Sequence, residues 1–257
     1  MKKIVKLLLA LTLSLGFFVK TATAQAETVD EIKEKGVIVL GTSADYPPYE
    51  FIATVDGKEK VVGMDVLIAE QYAKELGVKL EVKNMDFDSL LVGLETGKID
   101  FAISGLNPTN ERKKSADFSD VYYNSGQGFL VNKNDKKLYS SYKSFKDKKV
   151  GVQTGSLQQE LAKTQMKSTS LSEMTKITDL LLALKSNKVQ GVLVESAVGE
   201  AYSAHDKEIA YVPGKLKTGK DELGSAIAFP KNSPELVAAA NTMITKIKKE
   251  DKIKQYL

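Results

Sequence analysis

Two stretches of this chain run through the same pattern. LLVGLETGKIDFAISG begins at Leu90, and LLLALKSNKVQGVLVE begins at Leu180. Aligned without a gap, each reads as an apolar helix, a polar turn, a lysine and an apolar strand. Strands that alternate with helices through short loops form a mostly parallel sheet covered by helices. The repeated pattern therefore predicts two comparable α/β lobes. Around the first copy the order is helix 29–35, strand 37–41, an Asp56-Gly57 hairpin turn, helix 64–76 stopped by Gly77, strand 79–83, helix 88–96 and strand 99–104. Around the second it is strand 149–153, a turn at Thr154-Gly155-Ser156, helix 157–164 capped by Ser156, strand 167–171, helix 176–186, strand 189–194 and helix 197–204.

Small residues at Asn124-Ser125-Gly126-Gln127-Gly128 predict one crossing between the lobes. A second candidate crossing runs from Pro213 through KLKTGKDELG. Beyond it come strand 225–229 and a last helix, opened by Ser233 as N-cap and Pro234 at its first position. Two crossings imply a hinge and a cleft, with lobe 1 at 27–124 and 221–257 and lobe 2 at 125–220. Closure around a small solute is a known use of that geometry. Both repeated strands deliver polar residues beyond their carboxyl ends, Ser104 to Asn107 in one copy and Glu195 in the other, where open α/β sheets bind ligands. In TSADYPPYEF, Pro47 and Pro48 predict an exposed loop without regular structure.

Composition removes several classes of function. Cysteine is absent, and the single histidine, His205, sits in the polar run SAHDKE as an exposed loop or helix-end residue. Thiolate metal sites, cysteine nucleophiles, serine–histidine triads and histidine-rich metal sites are hard to build from that inventory. The net charge of +4 comes from dispersed lysines with nearly as many acids, and no basic stripe interleaved with aromatics suggests nucleic acid. At the start, Lys2, Lys3 and Lys6 precede an apolar run at 7–19 and then TATAQAE. That is the order of a secretory signal over 1–26, with Ala24-Gln25-Ala26 the first cleavage site and Ala22-Thr23-Ala24 the second. With no cysteine to acylate, the expectation is an exported protein without a lipid anchor.

Arg112 is the only arginine among 37 basic residues. Its planar guanidinium can grip a carboxylate through two parallel hydrogen bonds, which lysine cannot. Thr109 sits where an N-cap belongs, so a short helix opened by Asn110, Glu111 and Arg112 is expected, with free amides that favour an anion.

Across nearly the whole chain after residue 37, the motifs GTSADYPPYEF, GMDVLIAEQYAKELG, MDFDSLLVGLETGKIDFAISG, TNERKKSADFSDVYY, GVQTGS and KVQGVLVE resemble the polar amino-acid-binding proteins of bacterial ABC importers. The resemblance implies an α/β two-lobed periplasmic-binding-protein fold of type II, no cofactor, no metal, a monomeric receptor handing its ligand to a membrane permease, and no catalysis. It further implies that Arg112 holds an α-carboxylate with help from the backbone at Gly105 and from Asn107. Glu195 would hold the α-ammonium from the other lobe, Tyr46 and Phe87 would flank the side chain, and the Gly155-Ser156 turn would add amide donors. Ser43 stands where many binders of basic residues carry an aspartate. Asn107, Leu157 and Glu195 also depart from the usual residues, which bears on ligand identity. Asp45, Glu50, Asp86 and Ser43 around the two aromatics favour arginine or lysine slightly over glutamine. Two other readings share the scaffold, a dehydratase of small carboxylic acids and a sensory ligand-binding module.

Overall fold

The computed structural model describes residues 27–219, 222 and 224–257. The expected signal segment, and Lys220, Asp221 and Leu223 of the second crossing, lie outside the described residues. In chain order the elements are α1 (Val29–Lys35), β1 (Val37–Thr42), β2 (Asp45–Tyr46), β3 (Glu50–Val55), β4 (Lys58–Val62), α2 (Met64–Leu76), β5 (Lys79–Asn84), α3 (Leu90–Glu95), β6 (Phe101–Ala102), β7 (Ala116–Phe118) and β8 (Tyr123–Asn124). They continue with β9 (Gln127–Asn132), β10 (Lys149–Gln153), α4 (Leu157–Gln165), β11 (Ser170–Met174), α5 (Ile177–Lys185), β12 (Gly191–Glu195), α6 (Ser196–His205) and β13 (Ile209–Pro213). The chain closes with β14 (Gly224–Ser225), β15 (Ala228–Pro230), α7 (Pro234–Lys249) and α8 (Lys252–Tyr256).

Two five-stranded sheets carry the two lobes, ordered β5-β1-β6-β15-β7 and β11-β10-β12-β9-β13. In the first, β1 runs parallel to β5 and β6, and β15 is antiparallel to both neighbours. In the second, β10 runs parallel to β11 and β12, and β9 is antiparallel to both neighbours. Four strands of each sheet thus share one direction. The reversed strand in each is the one that follows a crossing from the other lobe. The crossings themselves pair, β8 with β14, antiparallel through Asn124↔Gly224 and Tyr123↔Ser225.

One apolar cluster runs through both lobes, and each lobe adds an aromatic group of its own. The apolar stripe of α2, including Ile68, Tyr72 and Leu76, is buried, and Gly77 ends the helix at φ +76 with its amide on the Ala73 carbonyl. Tyr72 packs edge-on against Phe101 and Phe229 at 5.5 and 5.8 Å. In the second lobe Phe145 lies 4.3 Å from both Phe129 and Tyr139. Such aromatic groups supply much of the apolar area that a core removes from water.

Several expectations needed revision. Asp56 and Gly57, both at positive φ, make the expected hairpin between β3 and β4. The segment expected to be an exposed loop is instead buried and partly paired: β2 and β3 form from it, and Tyr49 is 0% exposed. Its cover comes from distant parts of both lobes, Gly63, Gly105 and Tyr123 on one and Glu195 on the other, which no local pattern reveals. The strand expected at 167–171 is β11, at Ser170–Met174, and the strand expected at 99–104 is only Phe101–Ala102. The helix expected from Asn110 is a single 3-10 turn at Arg112–Lys114. No apolar stripe supports a longer helix there, and the first turn of any helix is costly. Ser233 precedes α7 as expected, but its hydroxyl donates to the Pro230 carbonyl rather than capping.

Candidate functional site

The carboxyl ends of parallel strands from both sheets meet across the cleft. β1 leads to Ser43, β5 to Phe87, β6 to Gly105 and Asn107, β10 to Gly155 and Ser156, and β12 ends in Glu195. Six of the eight residues singled out from the sequence thus follow or end these strands, Tyr46 lies on β2 just beyond Ser43 and Arg112 on the turn beyond Asn107, and contacts among them cross from lobe to lobe.

Arg112 lies at the centre of one half. It is 8% exposed, and its Cζ sits 5.3 Å above the Phe87 ring. Nη1 donates to the Asn107 carbonyl at 2.8 Å and Nη2 to the Gly155 carbonyl, on the second lobe, at 2.9 Å. Gly155 adopts φ +74, the left-handed geometry of the turn that offers this carbonyl. No ion pair to Arg112 occurs among the described residues. Burial lowers its pKa to about 10, opposed by the charges of Glu160 and Glu195. The 3-10 turn contributes little to anion binding, because Thr109 Oγ1 accepts the Arg112 amide at 3.3 Å. The guanidinium itself is the anion-seeking group.

Glu195 anchors the other half and is 1% exposed. Tyr49 Oη donates to Oε2 at 2.5 Å, and Asn107 Nδ2 donates to Oε1 at 3.1 Å. The Glu195 amide donates to Tyr46 Oη at 3.0 Å, so Tyr46 also spans the lobes. Tyr46 stacks on Tyr49 at 5.8 Å. Burial lifts the Glu195 pKa from 4.5 to about 7, against the lowering effect of its two hydrogen bonds. Asn107 also donates to the Gly224 carbonyl, which ties the site to the second crossing.

The remaining groups act through their surroundings. Gly105 lies at φ +51, and a Cβ there would come within 3.3 Å of the Tyr46 ring. Its amide donates to Asp65 Oδ2 at 2.8 Å, and Tyr122 Oη donates to the same carboxylate. Ser43 donates its amide to Ser104 Oγ, which donates in turn to Glu50 Oε1 at 2.8 Å. Ser156 has its hydroxyl committed to α4, accepting from the Gln159 amide at 3.1 Å and donating to the Gln153 carbonyl. The Gly155 amide donates to Gln159 Oε1. The other three residues expected to favour a basic ligand beside Ser43 also have protein partners. Glu50 is buried against Asp65, Asp45 caps α5, and Asp86 faces Lys176.

Sequence reasoning missed Tyr49 and Asp65, and took Glu50 for a group near the ligand rather than a buried partner of Ser104 and Asp65. Tyr49 carried a signal, an aromatic directly after two prolines, but its partner lies 146 residues away. Asp65, near the start of α2, reads as an ordinary first-turn carboxylate. A cavity of about 410 Å³ opens beside Arg112, walled by Phe87, Leu106 and Thr109 from one lobe and Ser156, Leu157 and Glu160 from the other.

The family model for bacterial extracellular solute-binding proteins, family 3, matches residues 38–257. This chain belongs to that family. Among curated relatives of this family 3 protein, the arginine-binding extracellular protein ArtP of Bacillus subtilis is 38% identical over 236 residues, covering 91% of this chain and 88% of the relative. Among solved structures, an amino acid ABC transporter substrate-binding protein of Streptococcus pneumoniae bound to L-arginine superposes with a TM-score of 0.87 at 36% identity, covering 90% of this chain and 96% of that one. The ancestral amino-acid-binding protein AncCDT-1, a precursor of cyclohexadienyl dehydratase, superposes with a TM-score of 0.80 at 30% identity, covering 90% and 97%.

Proposed function

We propose that this protein captures a polar L-amino acid, arginine before lysine or glutamine, between two closing lobes and delivers it to an ABC permease outside the cytoplasm. The observation that carries the reading is Arg112. A guanidinium so deeply buried, without an ion pair among the described residues, has a strong demand for an anion. Glu195 supplies the opposite charge from the other lobe. An amino acid's carboxylate and ammonium match that pair, and a ligand that engages both draws the lobes together. The carboxylate would replace the Gly155 carbonyl on Arg112, and the ammonium would replace Tyr49 or Asn107 on Glu195. The arginine-binding relative and the L-arginine-bound neighbour support arginine.

In this reading the lobes divide at 124/125 and 220/221, next to the paired crossings, the protein acts as a monomer, and no lipid anchors it. A thermal-shift screen of the twenty amino acids with ornithine and citrulline tests the ligand, since a ligand bound only by the folded state raises the midpoint by mass action. L-Arginine gives the largest shift. A screen in which only small or branched apolar amino acids shift the midpoint overturns the reading.

A second reading has one observation in its favour. Glu195, at about 7, has the pKa of a general acid or base, and AncCDT-1 precedes a dehydratase. Mass spectrometry of the bound ligand after prolonged incubation separates the two. Unchanged ligand retains the receptor, and loss of water retains the enzyme.

A further inference from the structure

Helix α5 has no cap of its own. Lys176 occupies the cap position with extended backbone, and a lysine side chain has no acceptor to offer the first amides. The missing acceptor comes from the other lobe. Asp45 Oδ2 accepts the Ile177 amide at 2.8 Å, from 132 residues away in sequence. Its backbone carbonyl accepts Tyr202 Oη of α6 at 2.8 Å, and Asp86 Oδ1 stands 3.8 Å from Lys176 Nζ. Lobe 1 thus offers two acids to the start of one lobe-2 helix, and the nearer is a good N-cap residue. None of these contacts uses Arg112, Phe87, Asn107 or Glu195.

We propose that Asp45 is a helix cap supplied across the cleft, made when the lobes meet and broken when they part. Such a cap favours closure whatever the ligand is. It therefore scales the affinity of every ligand by one factor without touching any of them, and makes Asp45 a positioning residue. This separates it from a contact to a ligand's distal charge, which favours some side chains over others. The proposal rests on the reading of the cleft as a closing amino-acid site.

The test compares wild type, Asp45→Ala and Asp45→Asn for L-arginine, L-lysine and L-citrulline by calorimetry and stopped-flow displacement. In Asp45→Ala the three affinities fall by a common factor of about two- to thirtyfold, the range a lost cap gives, and the change lies in the dissociation rate. Asp45→Asn, whose amide oxygen also caps, stays within about twofold of wild type. Losses that differ between ligands by more than about threefold, no loss at all, or an asparagine variant as weak as alanine each overturn the proposal. Failure of wild type to bind any of the three refutes the ligand reading instead. The cap is then decided by hydrogen exchange at the Ile177 and Thr178 amides. Exchange faster in Asp45→Ala than in wild type upholds it, and equal exchange overturns it.

Discussion

Arg112 donates to two backbone carbonyls, one on each lobe, through two different terminal nitrogens. That use of the fork defines what a substitution removes. Arg112→Lys preserves charge but supplies a single ammonium, which cannot reach both oxygens of a carboxylate in one plane. Loss of one partner of a buried charge pair costs about 2–5 kcal/mol, on the order of thirtyfold to several thousandfold in affinity. Arg112→Lys should lose most of that, measured by titration calorimetry, with an unchanged circular dichroism spectrum. Near-wild-type affinity would place the carboxylate anchor elsewhere. The importance of this residue was legible because one arginine stood among lysines. Its two partners were not, since a carbonyl at residue 155 leaves no mark in the side-chain sequence.

At the scale of elements, α4 shows how a site residue can serve the fold first. The Ser156 hydroxyl caps the helix, so its removal bears on stability more than on ligand. Ser156→Ala should lower stability by about 1 kcal/mol in chemical denaturation while leaving ligand affinity within a few-fold of wild type. A large loss of affinity at unchanged stability would give the hydroxyl to the ligand. Elements with a local cause were readable from sequence. Gly77 ends α2, Asp56-Gly57 turns the β3–β4 hairpin, and the paired LL motifs mark α3 and α5. Elements whose cause is distant were not. β11 lies on the sheet edge with a polar, serine-bearing sequence, so its start was misplaced. The buried segment around Tyr49 owes its cover to residues far along the chain, Tyr123 in its own lobe and Glu195 in the other.

For the whole molecule, the buried acids set a pH dependence of definite sign. Burial raises Glu195 from 4.5 to about 7 and Asp65 from 3.8 to about 6 in the folded protein. The folded state therefore holds more protons than the unfolded state across that interval. The stabilisation is fully present below the ordinary carboxylate values and lost as pH rises through about 6 to 7. Without added ligand, the thermal midpoint should fall from about pH 5 to about pH 8, and Glu195→Gln should flatten the upper part of that fall. An ammonium placed against Glu195 favours its charged form, so ligand binding near pH 6 should release a proton. Calorimetry in buffers of different ionisation enthalpy detects it. A midpoint that rises across this range, or binding without proton release, would show that Glu195 is already ionised.

The pairing of β8 with β14 has a mechanical consequence. Two independent threads would allow the lobes to twist and slide as well as close. Laced side by side through residues 123–124 and 224–225, and joined further by the Tyr122 amide on the Ser225 carbonyl, they bend as one leaf. A leaf flexes about a single axis and resists torsion. Opening should then reduce to one angle, and a pair of fluorescent labels, one per lobe, should follow the entire stroke with a single distance.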